Sequence, residues 1–222
     1  MNPKDYDRNN ELRKKIWNIY EQGRSVIAID LDECMLDTCS VILSHVNKIC
    51  GTDHKVEHIH QYDMAKTLNI DPKVFQEILH ETDYLSNTPP FPFAKEFLNR
   101  LKSKDFNGLL DIPEQDVPYI VFITHRGFRP DGFILTHDLL IDHDLIPDML
   151  IVCPIGMNKV EVMDELFDDN VKLAIEDQPK ILHDFLEAGI PVMKNLRPWN
   201  ISSVWTDFSI DLKVSSLLIA ER

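Results

Sequence analysis

Asp30 and Asp32 stand two residues apart at the end of the apolar run Val26 to Ile29. Alternate residues of an extended strand share a face, so both carboxylates can meet one metal ion or one phosphorus centre. Two anions that close repel, and a hard cation with oxygen ligands, Mg²⁺ first among them, is the simplest resolution. A strand running into an acidic turn, with Asp32 capping a neighbouring element, accounts for the same residues without chemistry. Three other places bear on the choice. Thr124 closes a second apolar run, YIVFIT, just before His125, Arg126 and Gly127. Lys159 opens a segment of helical periodicity, where a cation opposes the helix dipole, although a solvated lysine is the alternative. Glu176 and Asp177 close the run Val171 to Ile175.

For these residues to act together, their strands must lie side by side and point the same way. The chain supplies such strands at Val26–Ile29, from Tyr119 towards Gly127, at Met149–Val152, Val171–Ile175 and Ile190–Met193. Helical periodicity fills residues 8–22, 132–143 and 159–167, and a further helix carries Ile181, Leu182, Phe185 and Leu186 before Gly189. This alternation predicts an α/β fold, a Rossmann-like three-layer core around a parallel sheet with right-handed crossovers. The carboxyl ends of parallel strands gather on one edge, so residues far apart in sequence can converge there.

Residues 38 to about 90 break the alternation with short helical segments, among them Pro72 to His80 behind an Asp71 cap, and no strong strand. The expected organisation is an α/β core of residues 1–37 and 91–222 with a small helical cap, 38–90, inserted after the first strand. Asp37 falls where the insertion leaves the core and reads as a structural hinge residue. Polar residues 103–118 read as a loop. Cys50, His54, His58 and His60 include an i, i+4 pair, but no second cysteine stands at zinc-ligand spacing, which favours a solvated face.

At 222 residues and 44% hydrophobic content the chain can bury a sizeable core. A net charge of -14 argues against a broad nucleic-acid or anionic-membrane footprint. The four cysteines lack CxxC spacing, and the N-terminus lacks a signal-peptide layout, so a reducing cytoplasm is the expected location. No apolar run approaches the roughly 20 residues of a membrane span.

DLDECMLDT (Asp30 to Thr38), VFITHRG (Val121 to Gly127), Lys159 and AIEDQP (Ala174 to Pro179) resemble, in order, the four signature motifs of the haloacid dehalogenase superfamily. The helical insertion, the compact THRG, EDQP and the late NLRPWN followed by Val204-Trp205 are similar to the 5'(3')-deoxyribonucleotidase group. Three residues depart from the pattern. Glu33 stands where a small glycine is usual, Cys34 where threonine or valine is, and Glu176 where aspartate is common.

The resemblance implies that Asp30 is a nucleophile and Asp32 a general acid/base whose backbone carbonyl also binds metal. It implies that Thr124 and Lys159 bind the phosphoryl group, and that Asp177, with Glu176 beside it, completes a Mg²⁺ site. The expected reaction is hydrolysis of a phosphate monoester through an aspartyl-phosphate, the ester being a small molecule and a nucleotide in particular. The acid/base role leads to the expectation of a raised pKa for Asp32 beside other carboxylates. The His125 N–H is placed to add a hydrogen bond to the phosphate. Tyr62, Asp63, Phe75 and Tyr84 are candidates to line the cap, although such aromatics are more often core. Trp199 and Trp205 read as tail packing. Phosphatases of other metabolites and a non-catalytic binding module stay open, as does a homodimer; nucleic acid and membrane partners are not expected.

Overall fold

The computed structural model describes residues 22–81, 83–103, 117–201 and 209–212, with Lys14 and Ile19 besides. Most of the predicted helix over residues 8–22, nearly all of the predicted loop over 103–118, and Trp205 lie outside the described residues.

Six parallel strands form one sheet in the order β3-β2-β1-β4-β5-β6. These are β1 (Val26–Ile29), β2 (Tyr119–Thr124), β3 (Met149–Val152), β4 (Val171–Glu176), β5 (Val192–Asn195) and β6 (Ser209–Leu212). Strand β1 is central and wholly buried, paired with β2 on one side and β4 on the other. Side-chain alternation then builds two cores. Ile27 and Ile29, with Ile120, Phe122 and Ile175, pack against α5 (Ala94–Lys102) and α6 (Gly132–Asp142). Val26 and Ala28, with Val121, Ile123 and Ala174, pack against α7 (Lys159–Phe167) and α8 (Pro179–Glu187). This is the three-layer α/β architecture expected from the sequence.

Two strand expectations need correction. The fifth strand begins at Val192 rather than Ile190, because Pro191 has no N–H for the ladder and contributes only its carbonyl, which accepts from the Ala174 N–H at 2.9 Å. Nor is it the last, since β6 pairs in parallel along its outer side. The four residues of β6 are too few to carry a periodicity signal.

Between β1 and α5 the chain forms α1 (Thr38–Cys50), α2 (Met64–Thr67), α3 (Pro72–Glu81) and α4 (Tyr84–Asn87), with a 3₁₀ turn at Val56–His58. Helix α1 buries Cys39, Ile42, Leu43 and Val46, the i, i+3, i+4, i+7 stripe of an amphipathic helix. It stops at Gly51, whose left-handed φ of 66° lets its N–H turn back to the Asn47 carbonyl. Asp71 caps α3 as expected, accepting from the Lys73 N–H at 2.8 Å. A third apolar cluster joins these helices to Trp199 and, at its margin, to Phe128 and Leu135. No helix among the described residues is long and apolar enough to cross a membrane.

Candidate active site

Strand order places the chemistry. The chain turns from β1 to β2 and β3 on one side and to β4 and β5 on the other, so the carboxyl end of β1 is a topological switch point. Asp30 follows β1 directly, and its N–H is held by the Ile175 carbonyl at 2.9 Å. Thr124 ends β2, Glu176 ends β4, and Lys159 starts α7. All of these, with Asp177, are buried.

Lys159 Nζ donates to Asp30 Oδ1 at 2.6 Å and to Glu176 Oε2 at 2.8 Å. Burial works against its charge, but Asp30 and Glu176 outweigh burial and hold its pKa above the ordinary value. It is therefore no solvated lysine. The second Glu176 oxygen accepts from the backbone N–H groups of Asp177 and Gln178 at 3.0 Å and 3.1 Å, which fixes the turn into α8. Burial and the neighbouring Glu176 push the Asp30 carboxyl well up, against the pull of Lys159. Asp177 is pushed up for the same first reasons, burial and Glu176. Its Oδ2 accepts from Trp199 Nε1 at 2.8 Å.

Asp32 behaves differently from expectation. Its carboxyl lies below the ordinary carboxylate value: burial raises it, but the charge and hydrogen bonds of the Arg126 guanidinium, with two hydrogen-bonding hydroxyls, more than offset burial. Arg126 NH2 donates to Oδ1 at 2.7 Å, and Nε reaches both oxygens at 3.1 Å and 3.0 Å. The Thr38 hydroxyl donates to Oδ1 at 2.5 Å and the Thr124 hydroxyl to Oδ2 at 3.2 Å. The expectation of a raised pKa takes no account of Arg126, which the fold buries to 1% exposure. Its local signal was slight, a lone arginine after an apolar strand.

Glu33 adopts a left-handed φ of 63°, the reason a glycine suits this turn. Its side chain is anchored: Oε1 accepts from the Cys39 N–H at 2.5 Å, and Oε2 lies 3.0 Å from Arg197 NH2. The Glu33 carbonyl also accepts from Asn195 Nδ2. Arg197 in turn stacks over Phe91 at 4.3 Å. The late NLRPWN segment is thus joined to the first motif at Glu33 and to the fourth at Asp177.

Above these groups opens a cavity of about 870 Å³. Its wall includes Tyr62, Phe75, Tyr84, Phe128 and Trp199. Three of these were weighed from sequence as cap-lining residues; Phe128 was not, and Trp199 was read as packing alone. Trp199 does both, being 8% exposed and part of the cavity wall. Tyr84 and Phe128 stack with ring centroids 6.1 Å apart. His125 also borders the cavity, its ring bonded to the Met157 carbonyl at 2.8 Å.

Ligand atoms of Asp30, Cys34 and Asp177 all lie within 4.8 Å of one another. Asp30 and Glu176 share one buried cation, Lys159, and Asp177 ligand atoms lie within 4.8 Å of those of Asp30, so acidic groups are in excess of the cation in this cluster. The oxygen donors and that excess fit a hard divalent cation. Cys34 is a poor ligand for such an ion, and burial together with Asp177 pushes its thiol well up. The Asp32 side chain is bonded to Arg126 and is not among the groups of this cluster.

The fold is one shared with solved haloacid dehalogenase-like structures. The chain is similar to a haloacid dehalogenase-like hydrolase from Streptococcus pneumoniae, with a TM-score of 0.59 and 14% identity over 90% of this chain and 100% of that one. A HAD family hydrolase from Deinococcus radiodurans, solved with bound phosphate and sodium, gives a TM-score of 0.56 and 12% identity over 87% of this chain and 93% of that one. In sequence, the chain is 24% identical over 152 residues to a Staphylococcus epidermidis protein named as a candidate 5'(3')-deoxyribonucleotidase, covering 67% of this chain and 76% of the relative. No family model matches.

Proposed function

We propose that this protein hydrolyses phosphate monoesters through an aspartyl-phosphate on Asp30, with nucleoside monophosphates as substrates. The observation that carries the reading is the convergence of Asp30, Lys159, Asp177 and Thr124 at one sheet edge beneath an aromatic-walled cavity. That cavity falls in the range of small-molecule sites, roughly 300–1,000 Å³. The name of the Staphylococcus epidermidis relative supports the nucleotide.

In the first step an Asp30 oxygen attacks phosphorus, the ester P–O bond breaks, and the departing oxygen takes a proton from Asp32, which enters this step protonated from solvent. In the second, water attacks the phosphorus, Asp32 accepts its proton, and the P–O bond to Asp30 breaks to release phosphate. The ionised, fully hydrogen-bonded Asp32 of this structure is the form suited to the second step. Lys159 donates to the Asp30 carboxyl at 2.6 Å and presents positive charge to the phosphate. Thr124 and the His125 N–H complete the phosphate contacts. Asp30, Asp177 and the Asp32 carbonyl would hold Mg²⁺, which would neutralise charge on the substrate and nucleophile. The helices of residues 38–90 act as a cap whose aromatic side chains receive the base and exclude water.

Phosphate release from deoxy- and ribonucleoside monophosphates and sugar phosphates, with Mg²⁺ or EDTA, tests the reading. Metal-dependent turnover on nucleotides, absent in Asp30→Asn, is expected. Turnover confined to sugar phosphates removes the nucleotide, and silence on every ester removes the phosphatase.

A further inference from the structure

The reaction above uses Asp32 but gives no task to Arg126. A guanidinium with 1% exposure is costly unless its N–H groups all find acceptors. They point three ways. Nε and NH2 take Asp32; NH1 donates to the Leu85 carbonyl at 3.2 Å; NH2 also lies 3.5 Å from the Thr38 hydroxyl. Thr38 is the first residue of α1, where the helical insertion leaves the core, and Leu85 belongs to α4, just before the chain returns. These two crossings run side by side, since the Asp37 N–H donates to the Pro89 carbonyl at 2.9 Å and Leu36 bridges Pro90. One side chain therefore touches the acid/base carboxylate, the outgoing crossing and the returning helix.

Arg126 is itself braced from behind. The Gly127 N–H donates to the Cys153 carbonyl at 3.0 Å, and a Cβ on Gly132 would stand 2.1 Å from the Arg126 carbonyl, so only glycine leaves room there. Arg126 is thus seated in the core, and its side chain reaches the insertion.

We propose that Arg126 is a positioning residue that fixes the Asp32 carboxylate and ties it to both crossings of the insertion, so that displacing the insertion displaces Asp32. The catalytic consequence rests on the phosphatase reading; the tie to the crossings does not. The planar fork is essential, because a lysine ammonium cannot hold the Asp32 carboxylate bidentately while reaching Leu85.

The test compares Arg126→Ala, Arg126→Lys, Asp32→Asn and both double variants in the full chain, by steady-state kinetics on the best ester and by amide hydrogen exchange. Arg126→Ala is expected to lower kcat by about 100-fold with KM held within about threefold, as for a group acting through a general acid/base. Added guanidinium ion should restore part of that loss, and Arg126→Lys should remain impaired. Combined with Asp32→Asn, neither Arg126 change should slow turnover further. Exchange at residues 37–39 and 85–88 should quicken in both Arg126 variants. If Arg126→Ala does not fold, Arg126→Lys supports the same comparison. Additive losses, or a raised KM with kcat intact, overturn the positioning role, the latter assigning Arg126 to substrate. Unchanged exchange at the crossings overturns the tie. If the wild type hydrolyses no ester, the phosphatase reading fails by itself, and the exchange result still decides whether Arg126 holds the insertion.

Discussion

Lys159 Nζ lies 2.6 Å from Asp30 Oδ1 across 129 residues of sequence, both side chains buried. It also pairs with Glu176 at 2.8 Å, and Asp177 stands beside Asp30. Lys159→Met would leave three buried carboxylates without that charge. The expected cost is about 3 kcal/mol at neutral pH, the scale of breaking a buried pair from one side. Because burial and Glu176 hold Asp30 and Asp177 above their ordinary values, the cost should shrink as pH falls and these groups take up protons. Urea unfolding at pH 7 and pH 4 measures it, and equal losses at both would contradict the electrostatic account.

Trp199 Nε1 donates to Asp177 Oδ2 at 2.8 Å, orienting a carboxylate assigned to the metal. Trp199→Phe keeps an aromatic ring and removes the donor. Mg²⁺ affinity should fall roughly 10- to 100-fold, the usual effect of losing such a supporting bond. Titration calorimetry on the variant decides; affinity matching the wild type would mean that the bond serves packing alone.

Glu33 links pH to stability. Burial raises its carboxyl from 4.5 to about 7, although Arg197 and the Cys39 N–H pull it down. A carboxyl raised in the folded state stabilises most when protonated in both states, below pH 4.5, and that contribution is lost as pH rises through about 7. A rise of this size corresponds to about 3 kcal/mol across the window. Glu33→Gln should flatten the change in melting temperature between pH 5 and pH 7.5, and an unaltered slope would assign it to other groups.

Gly127 packs against the end of β3: a Cβ there would lie 2.6 Å from the Cys153 carbonyl oxygen. Backbone on both sides cannot yield as a side-chain tip would. Gly127→Ala is therefore expected to cost about 1–3 kcal/mol, the range for overpacking. It should also disturb the neighbouring loop that carries Thr124 and Arg126, read out as a loss of turnover exceeding the loss of folded protein at the assay temperature.

The architecture was legible because strand and helix signals are local. Val26–Ile29 and Tyr119–Thr124 announce buried strands by composition, and their alternation with amphipathic helices leaves a parallel sheet as the consistent arrangement. Asp30, Thr124, Glu176 and Asp177 were legible with it, since polar residues ending apolar strands must gather at one sheet edge. Sequence alone therefore determined the layers and the sheet edge at which these residues gather, but it paired the Asp32 carboxylate with Asp30, where the fold bonds it to Arg126.

What the tertiary structure decided is how each charge is partnered. Asp32 is ionised because the fold directs Arg126 at it from 94 residues away, and periodicity carries no information about such a pair. Trp199 reaches both Asp177 and the cavity because the chain after β5 doubles back over the first motif, where Asn195 and Arg197 meet Glu33. The sign of a pKa shift depends on burial set against a nearby opposite charge, and both are properties of the packed chain rather than of any one segment.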